Sequence, residues 1–233
     1  MPNSADDELY HRLGRLQLPQ IVHGRRAMIL FEGPAAAGKK HALRQVAAAL
    51  DPCHFTVHAV RFDRRQAAEG HWLARFWRSL PCAGDTAIFH RSWYLRVLDD
   101  RLAGRVDERT VTRAFDEINE FEAQQRDHGT LIVKLYFHVS AEVQEERLQR
   151  RAADPWLSAG RRDAPIRVDD PAYRHVLDEL KLHTNTRWSP WQFIDGDDEH
   201  EAARTALRAI GDAWAGAMPA EPPRLVSVPT QAA

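Results

Sequence analysis

Cysteine is scarce in this chain. The 233 residues contain only Cys53 and Cys82, too few for a disulfide framework. No run of about 18 apolar residues occurs, so no membrane-spanning helix is predicted. The N-terminal segment is acidic and lacks the charged-then-apolar pattern of a secretion signal. Together these features predict a protein of the reducing cytoplasm with no membrane partner.

A large charge of one sign is also missing. The chain has 32 Lys and Arg against 33 Asp and Glu, a formal net charge of −1. A protein that binds nucleic acid through its overall charge is therefore not expected, and any anion site must come from local clustering. The content of 44% hydrophobic and 28% charged residues is typical of a globular protein. At this length we expect one α/β domain with a substantial core.

Two kinds of site lack their sequence patterns. The spacing of the cysteines and nearby histidines matches no zinc finger or ribbon; these residues are Cys53, His54, His58, Cys82 and His90. No serine lies in G-x-S-x-G, and neither cysteine has a compelling catalytic partner. The sequence therefore predicts neither a zinc site nor a covalent nucleophile.

The stretch 27–50 has the pattern of a strand, a tight loop and a helix. Residues 27–31 are a short apolar run, as in a buried strand, and apolar residues at helical spacing occupy 42–50. Between them, residues 33–39 fit G-x-x-x-x-G-K, the loop whose backbone N–H groups wrap a phosphate. The next residue is Lys40, so the Ser or Thr hydroxyl that normally holds Mg²⁺ is missing.

This arrangement suits a phosphate. The first turn of a helix has free N–H groups and the positive end of a dipole, and glycine allows close backbone approach. The candidate phosphate-binding residues are Gly33, Gly38, Lys39, Lys40, His41 and Arg44. The alternative is an ordinary strand–turn–helix without a ligand.

The rest of the chain alternates helical and strand patterns, which favours a parallel sheet with helices packed on it. Predicted helices span 6–18, ending by Pro19, then 66–80, 106–126, 171–183 and 197–214, with one more capped by Ser140. Predicted strands span 55–60, 86–89, 131–139 and 192–194, and the apolar 131–139 is expected to be central. We expect a single domain over 1–215 and a disordered, Pro-rich tail over 216–233.

A basic, loop-like segment follows. Residues 147–167 carry six arginines against two aspartates, with two prolines and a glycine. Arginine forks suit phosphate oxygens, so one interpretation is a basic flap over a polyanion, within a lid of about 147–185. Its candidate contacts are Arg147, Arg151, Arg161 and Arg162. The other interpretation is a solvated charged hairpin.

Six stretches taken in order resemble the polyphosphate kinase 2 family. They are FEGPAAAGK at 31–39, FHRSWY at 89–94, INEFE at 118–122, KLYFHVS at 134–140, RAADP at 151–155, and TNTRWSPW at 184–191, which is followed by Asp197 and Asp198. The resemblance spans about 9–210.

That resemblance implies a P-loop kinase-like fold: a parallel sheet with helices on both faces and a helical lid. It also implies phosphoryl transfer between inorganic polyphosphate and a nucleotide (ADP, GDP or AMP), with Mg²⁺, in a family whose members commonly form homo-oligomers. The same resemblance implies that phosphate is cradled by Gly33, Gly38 and Lys39 and clamped by Arg91. It also makes Lys39 and Arg91 the catalytic candidates.

The chain departs from the family at several of these positions. Ala35 and His90 stand where the family usually has aspartates, and Lys40 and His41 where it has glycines. The carboxylates expected to hold Mg²⁺ are thus missing, and no metal ligand can be named.

Three hypotheses follow. One is an active polyphosphate-dependent kinase that uses other carboxylates, such as Asp63, Glu69 or Glu117. The second is a non-catalytic homologue that binds polyphosphate or nucleotide, or regulates an active one. The third and weakest is an ATP-dependent nucleoside monophosphate kinase, against which the TRWSPW stretch argues.

Overall fold

A five-stranded, all-parallel sheet is the centre of the protein, in a computed structural model that describes residues 4–61, 70–158 and 166–222. The strand order is β2-β3-β1-β4-β5. Their bounds are β1 Arg26–Glu32, β2 Phe55–Ala59, β3 Thr86–His90, β4 Thr130–His138 and β5 Trp191–Asp195. All five carboxyl ends therefore lie at one edge, where open α/β sheets bind ligands.

Helices connect the strands. They are α1 Ser4–Val22, α2 Lys39–Ala49, α3 Ala74–Trp77, α4 Asp99–Leu102, α5 Glu108–Asp127, α6 Ala141–Ala153, α7 Pro155–Ser158, α8 Pro171–Thr184 and α9 Glu199–Ala217, with short 3₁₀ turns at Pro52–His54 and Trp93–Arg96. The predicted cap is confirmed, because the Ser140 hydroxyl accepts a hydrogen bond from the Val143 N–H at the start of α6.

The core lies on both faces of the sheet. Alternate residues of β1 point to opposite sides, so that Ile29 packs in one buried cluster and Leu30 in the other. The first cluster includes α2 and α9, and the second includes α5 and the aromatic residues that follow β3. The predicted α/β fold with helices on both faces is confirmed.

Some predicted element bounds were wrong. Helix α1 continues through Pro19 to Val22, and its last turn is held by Gln20, whose Nε2 donates to the Thr86 Oγ1 at 2.9 Å. Of the predicted helix 66–80, residues 66–69 lie outside the described ones, and within the described 70–80 the helical residues are Ala74–Trp77. The central strand is β1, since β4 lies between β1 and β5.

The basic segment is more regular than expected. Arg147 to Ala153 complete α6 and residues 155–158 form α7, so the predicted loop character is wrong for this part. Residues 159–165 lie outside the described ones. Helix α9 extends to Ala217, two residues into the predicted tail 216–233, and the His23 ring contacts the Glu221 carbonyl oxygen at 2.6 Å. Residues 223–233 of that tail lie outside the described ones.

Among the described residues, no helix combines the length and the apolar character needed to cross a membrane.

Candidate functional site

The loop between β1 and α2 requires its glycines. Gly33 has φ +129°, and a Cβ atom there would lie 2.2 Å from the Phe137 carbonyl oxygen. Gly38 has φ +78° and forms the N-cap of α2. Both angles lie where side chains are disfavoured, so the predicted pattern of glycines has a direct backbone cause. Ala36 adopts a left-handed φ of 68° without being glycine.

Lys39 is folded back onto this loop. Its side chain is 5% exposed, and Nζ donates to the carbonyl oxygens of Gly33 at 2.6 Å and Pro34 at 2.5 Å. Burial lowers the pKa of the ammonium, nearby Arg91 lowers it further, and Asp99 and Glu32 oppose the shift. The ammonium is thus hydrogen-bonded to the loop itself, at the carboxyl edge of the sheet. That it contacts a phosphate stays a prediction.

Helix α6 braces the loop from the outside. The buried amide of Gln144 donates from Nε2 to the Ala35 carbonyl oxygen at 3.1 Å and to that of Ile166 at 3.0 Å. One turn later, Arg147 Nη1 donates to the carbonyl oxygens of Ala36 at 3.0 Å and Gly196 at 2.7 Å.

Arg147 therefore lies elsewhere than predicted. It is 6% exposed, and its Nη2 also donates to the Asp197 carbonyl oxygen at 2.6 Å. Both terminal nitrogens are thus hydrogen-bonded to backbone that supports the loop, which does not agree with a flap contact to polyphosphate. The segment's basic composition predicted a ligand contact, whereas burial makes this arginine part of the scaffold.

Glu32, the last residue of β1, ties the loop to the chain after β3. Its side chain is 1% exposed, and Oε1 accepts hydrogen bonds from the Ser92 N–H and hydroxyl, both at 2.7 Å. Its Oε2 has no hydrogen-bond partner among the described residues. Burial raises the pKa of this carboxyl, Asp99 raises it further, and the bonds from Ser92 oppose the shift.

Arg91, the predicted clamp, is the first residue after β3. Its N–H donates to the Phe31 carbonyl oxygen at 3.1 Å, and its left-handed φ of 64° turns the chain at the sheet edge. The guanidinium Nη1 lies 2.7 Å from Asp99 Oδ1, and both side chains are largely buried. Arg91 and Lys39 are close enough for each to affect the same pKa values, so the two predicted catalytic residues share one site.

His90 lies among cations. It pairs with Phe31 in the register between β1 and β3. Burial lowers the pKa of His90 to about 4, and the other causes, in order, are Lys39, Arg91, Lys40 and Arg61. The ring is therefore neutral at neutral pH and reports a strongly positive surrounding. Position 90 carries no acidic group, and the charged residues named above as acting on it are all cations.

The other residues predicted to bind phosphate beside the loop differ in where they lie. Lys40 is exposed and contributes to the positive field at His90, whereas Arg44 is exposed one helical turn further on. His41 turns to α9 instead, with its ring edge-on to that of His200 at 4.8 Å between centroids. The structure therefore brings Lys40 to the site and packs His41 against a neighbouring helix.

Of the predicted lid arginines, Arg151 acts electrostatically on Lys39. It is half-buried at the end of α6, and its charge lowers the pKa of Lys39. Arg161 and Arg162 lie outside the described residues, as do the alternative carboxylates Asp63 and Glu69. Glu117 accepts a hydrogen bond from Trp72 Nε1 at 2.7 Å and another from Arg113, so it serves α5 rather than the loop.

Sequence reasoning missed several residues of the site. Glu32 lies within the FEGPAAAGK motif but had no predicted role, and Asp99, Arg61 and Gln144 lie in no motif. A carboxylate at the end of a strand, immediately before the first glycine, is a signal that could have identified Glu32. No comparable signal exists for the others, since they meet the loop only through the packing of separate elements.

The residues that the structure describes around the loop do not fit a carboxylate-held magnesium ion. Within the described ranges, no group of three or more His, Cys, Asp and Glu is arranged to hold a metal. Asp99 is paired with Arg91, and Glu32 is a buried carboxyl whose pKa is raised, which weakens it as an anionic ligand. Mg²⁺ in phosphate sites relies on one or two ionised carboxylates together with substrate oxygens. The site instead presents cations.

Comparison with known proteins finds similar sequences. A sequence profile of the family described as "Polyphosphate kinase 2 (PPK2)" matches residues 3–221. A polyphosphate:AMP phosphotransferase of Pseudomonas syringae pv. tomato is 37% identical over 186 residues, which cover 79% of this chain and 37% of that protein. An ADP-polyphosphate phosphotransferase 2 of Rhizobium meliloti is 29% identical, over 83% of this chain and 64% of that one. The chain thus spans less than two thirds of the length of these relatives.

Solved structures have the same fold. A polyphosphate kinase 2 crystal structure from Pseudomonas aeruginosa superposes with a TM-score of 0.82 at 29% identity, covering 92% of this chain and 46% of that one. One from Arthrobacter aurescens gives 0.82 at 24% identity, over 94% and 80% of the two chains, a likeness of fold. With the profile matching nearly the whole chain, this protein belongs to the polyphosphate kinase 2 family.

Proposed function

We propose that this domain binds inorganic polyphosphate and transfers phosphoryl groups between it and a nucleoside mono- or diphosphate. The observation that carries the proposal is the position of Lys39 and Arg91 together at the carboxyl edge of the sheet, beside a glycine-dependent loop that opens α2. Relatives of the chain are named for transfer to or from AMP, ADP and GDP, which are therefore the first acceptors to test.

The residues of the site have separable tasks. A bound phosphate would take hydrogen bonds from the free N–H groups at the start of α2 and draw the Lys39 ammonium from the Gly33 and Pro34 carbonyl oxygens. Arg91 would offer its fork to a second phosphate oxygen in exchange for Asp99. Phosphoryl transfer depends on such positioning and on neutralising the charge of the transferred group.

Magnesium, which the family leads us to expect, has no step in this proposal. Ala35 and His90 occupy the positions where aspartates are usual, and the field at His90 is positive. Charge neutralisation in this domain is assigned to Lys39, Arg91 and their basic neighbours.

A second candidate function is polyphosphate or nucleotide binding without turnover, for instance as a regulatory homologue. The specific observation in its favour is that Asp99 is paired with Arg91, while burial raises the pKa of Glu32 to about 7. Loss of cooperating catalytic groups commonly costs several orders of magnitude in rate. Such a loss leaves the anion site intact.

The proposed location of the protein is the cytoplasm. Cys53 and Cys82 are both free and exposed, which fits the reducing cytoplasm. A homo-oligomer, common in the family, is also proposed.

One assay separates the two functions. The purified protein is incubated with polyphosphate, Mg²⁺ and each of AMP, ADP and GDP, and nucleotide products are measured. Product that disappears in Lys39→Ala supports transfer at this site. Absence of product, with recovery in the double variant Ala35→Asp and His90→Asp, would instead identify a binding domain on an ancestral catalytic scaffold.

A further inference from the structure

Arg61 is a basic residue at the carboxyl edge of the sheet, and it lies in none of the sequence motifs. It follows β2, and its backbone is fixed from two sides. The neighbouring Val60 N–H donates to the His90 carbonyl oxygen at 3.1 Å, and Arg75 Nη1 donates to the Arg61 carbonyl oxygen at 3.0 Å. Arg61 therefore lies beside the end of β3, next to the site, with an exposed side chain.

Four cations act electrostatically on the His90 ring, and they come from three different segments. Lys39 and Lys40 begin α2, Arg61 follows β2, and Arg91 follows β3; each acts on His90 electrostatically. Neither Lys40 nor Arg61 has a side-chain ion pair with any residue that the structure describes, and both are exposed. Like charges held near one another repel, and a bound polyanion would relieve that repulsion at Lys40 and Arg61.

We propose that Lys40 and Arg61 join Lys39 and Arg91 in holding polyphosphate at the carboxyl edge of the sheet, and that this binding needs no divalent metal. The inference rests on the proposed polyphosphate function and deepens it. Polyphosphate carries about one negative charge for each phosphate unit and presents pairs of oxygens, which arginine forks and ammonium groups match.

Ala35 and His90, which replace the aspartates usual in the family, also favour binding without a metal. Where carboxylates hold Mg²⁺, the metal is the largest local charge and offsets the phosphates. Here Ala35 brings no charge, His90 is a neutral ring, and Lys40 and Arg61 add two exposed positive charges. Side-chain cations thus stand where a metal and its carboxylates are usual, so the charge balance with polyphosphate is met by the chain itself.

The test measures the dissociation constant of fluorescently labelled polyphosphate in EDTA and again in excess Mg²⁺. We expect wild-type protein to bind in EDTA at least as tightly as in Mg²⁺, because Mg²⁺ competes for phosphate oxygens. Arg61→Ala should weaken binding in EDTA by about tenfold, the usual effect of one charge-assisted hydrogen bond. Arg61→Lys should retain most of the affinity.

Arg208→Ala is the matched control, since Arg208 is an exposed arginine on α9 paired with Glu201, and it should leave affinity unchanged. Thermal unfolding of each variant shows whether it is folded. Binding that appears only with Mg²⁺, or an Arg61→Ala variant that binds like wild type, would overturn the inference even if phosphoryl transfer is found. Tight binding in EDTA without any product would uphold it and contradict transfer. No binding under either condition contradicts both.

Discussion

The carboxylate of Asp99 lies 2.7 Å from the guanidinium of Arg91, where the chain leaves β3 and begins α4. The two side chains are 15% and 27% exposed, so the pair is only partly screened by water. Asp99 therefore occupies the fork that a phosphate would need. Without a ligand, Asp99 fixes the position of the Arg91 guanidinium and neutralises its charge.

This competition predicts that Asp99→Asn tightens polyphosphate binding by about fivefold, because Arg91 is released to the ligand at almost unchanged side-chain volume. The measurement is the dissociation constant of labelled polyphosphate at fixed ionic strength. Asp127→Asn, which removes an exposed acid paired with neighbouring Arg126, controls for net charge. Weaker binding in Asp99→Asn would mean that Asp99 positions Arg91 for the phosphate instead.

His90 gives a prediction about pH. Burial and the surrounding cations lower the pKa of His90 from 6.5 to about 4, so between these values the unfolded chain binds a proton that the folded protein does not. The stability contributed by this histidine is complete above about pH 6.5 and is lost progressively as the pH falls towards 4.

Comparing urea unfolding at about pH 7 and about pH 5, we expect wild type to lose roughly 1–2 kcal/mol more than His90→Gln, after allowance for partial exposure. His128→Gln, a change at an exposed histidine after α5, should behave like wild type. Equal losses in wild type and His90→Gln would show that the ring is not held neutral by the cations around it.

A buried ion pair connects α5 to β4. Lys134 and Glu122 are both 0% exposed, with Nζ 3.1 Å from Oε2, and Lys134 also donates to the Thr184 carbonyl oxygen at 2.7 Å. The other carboxylate oxygen of Glu122 accepts from Trp93 Nε1 at 2.9 Å and from the Tyr94 hydroxyl at 2.7 Å. This network fixes the aromatic segment that follows Arg91.

Removing one partner leaves the other charge buried without compensation. Glu122→Ala should therefore lower the free energy of unfolding by about 3–5 kcal/mol. Glu120→Ala, an exposed glutamate two residues earlier on α5, should change it by less than about 0.5 kcal/mol. A loss in Glu122→Ala as small as that of the control would contradict the view that this network is structural.

A substitution at Gly33 tests the backbone conformation of the loop. A Cβ atom at this position would lie 2.2 Å from the Phe137 carbonyl oxygen and would require a left-handed φ of +129°. Gly33→Ala should lower stability by about 1–3 kcal/mol and weaken polyphosphate binding, because the loop must move. Gly216→Ala in α9, where an added Cβ meets nothing within 4 Å, should be neutral or stabilising. Similar behaviour of the two variants would contradict the described loop.

Particular residues show which parts of the fold and the site can be predicted from the sequence. The apolar run of β1, the glycines at 33 and 38 and the periodic face of α2 are local patterns, and they predicted the strand, loop and helix that the structure shows. The helix predicted over 106–126 likewise agrees with α5 at Glu108–Asp127. Such features depend on neighbours a few residues apart.

The rest depends on distant contacts. Arg147 looked like a lid residue by composition, but its guanidinium meets Ala36 and Gly196, which are 111 and 49 residues away. Pro19 ended a helix by propensity, whereas packing of Gln20 on Thr86 carries α1 one turn further. Asp99 and Arg61 joined the site only once the strand order brought β1, β2 and β3 side by side.

The most direct test of the account is polyphosphate binding by Lys39→Ala, because the loop and its lysine are the foundation of every step proposed. Lys181→Ala is the control, since its ammonium lies over the Phe193 ring on β5. With both variants shown to be folded, we predict at least about a tenfold loss of affinity in Lys39→Ala and none in Lys181→Ala. Equal affinity of Lys39→Ala and wild type would contradict the assignment of this loop as the polyphosphate site.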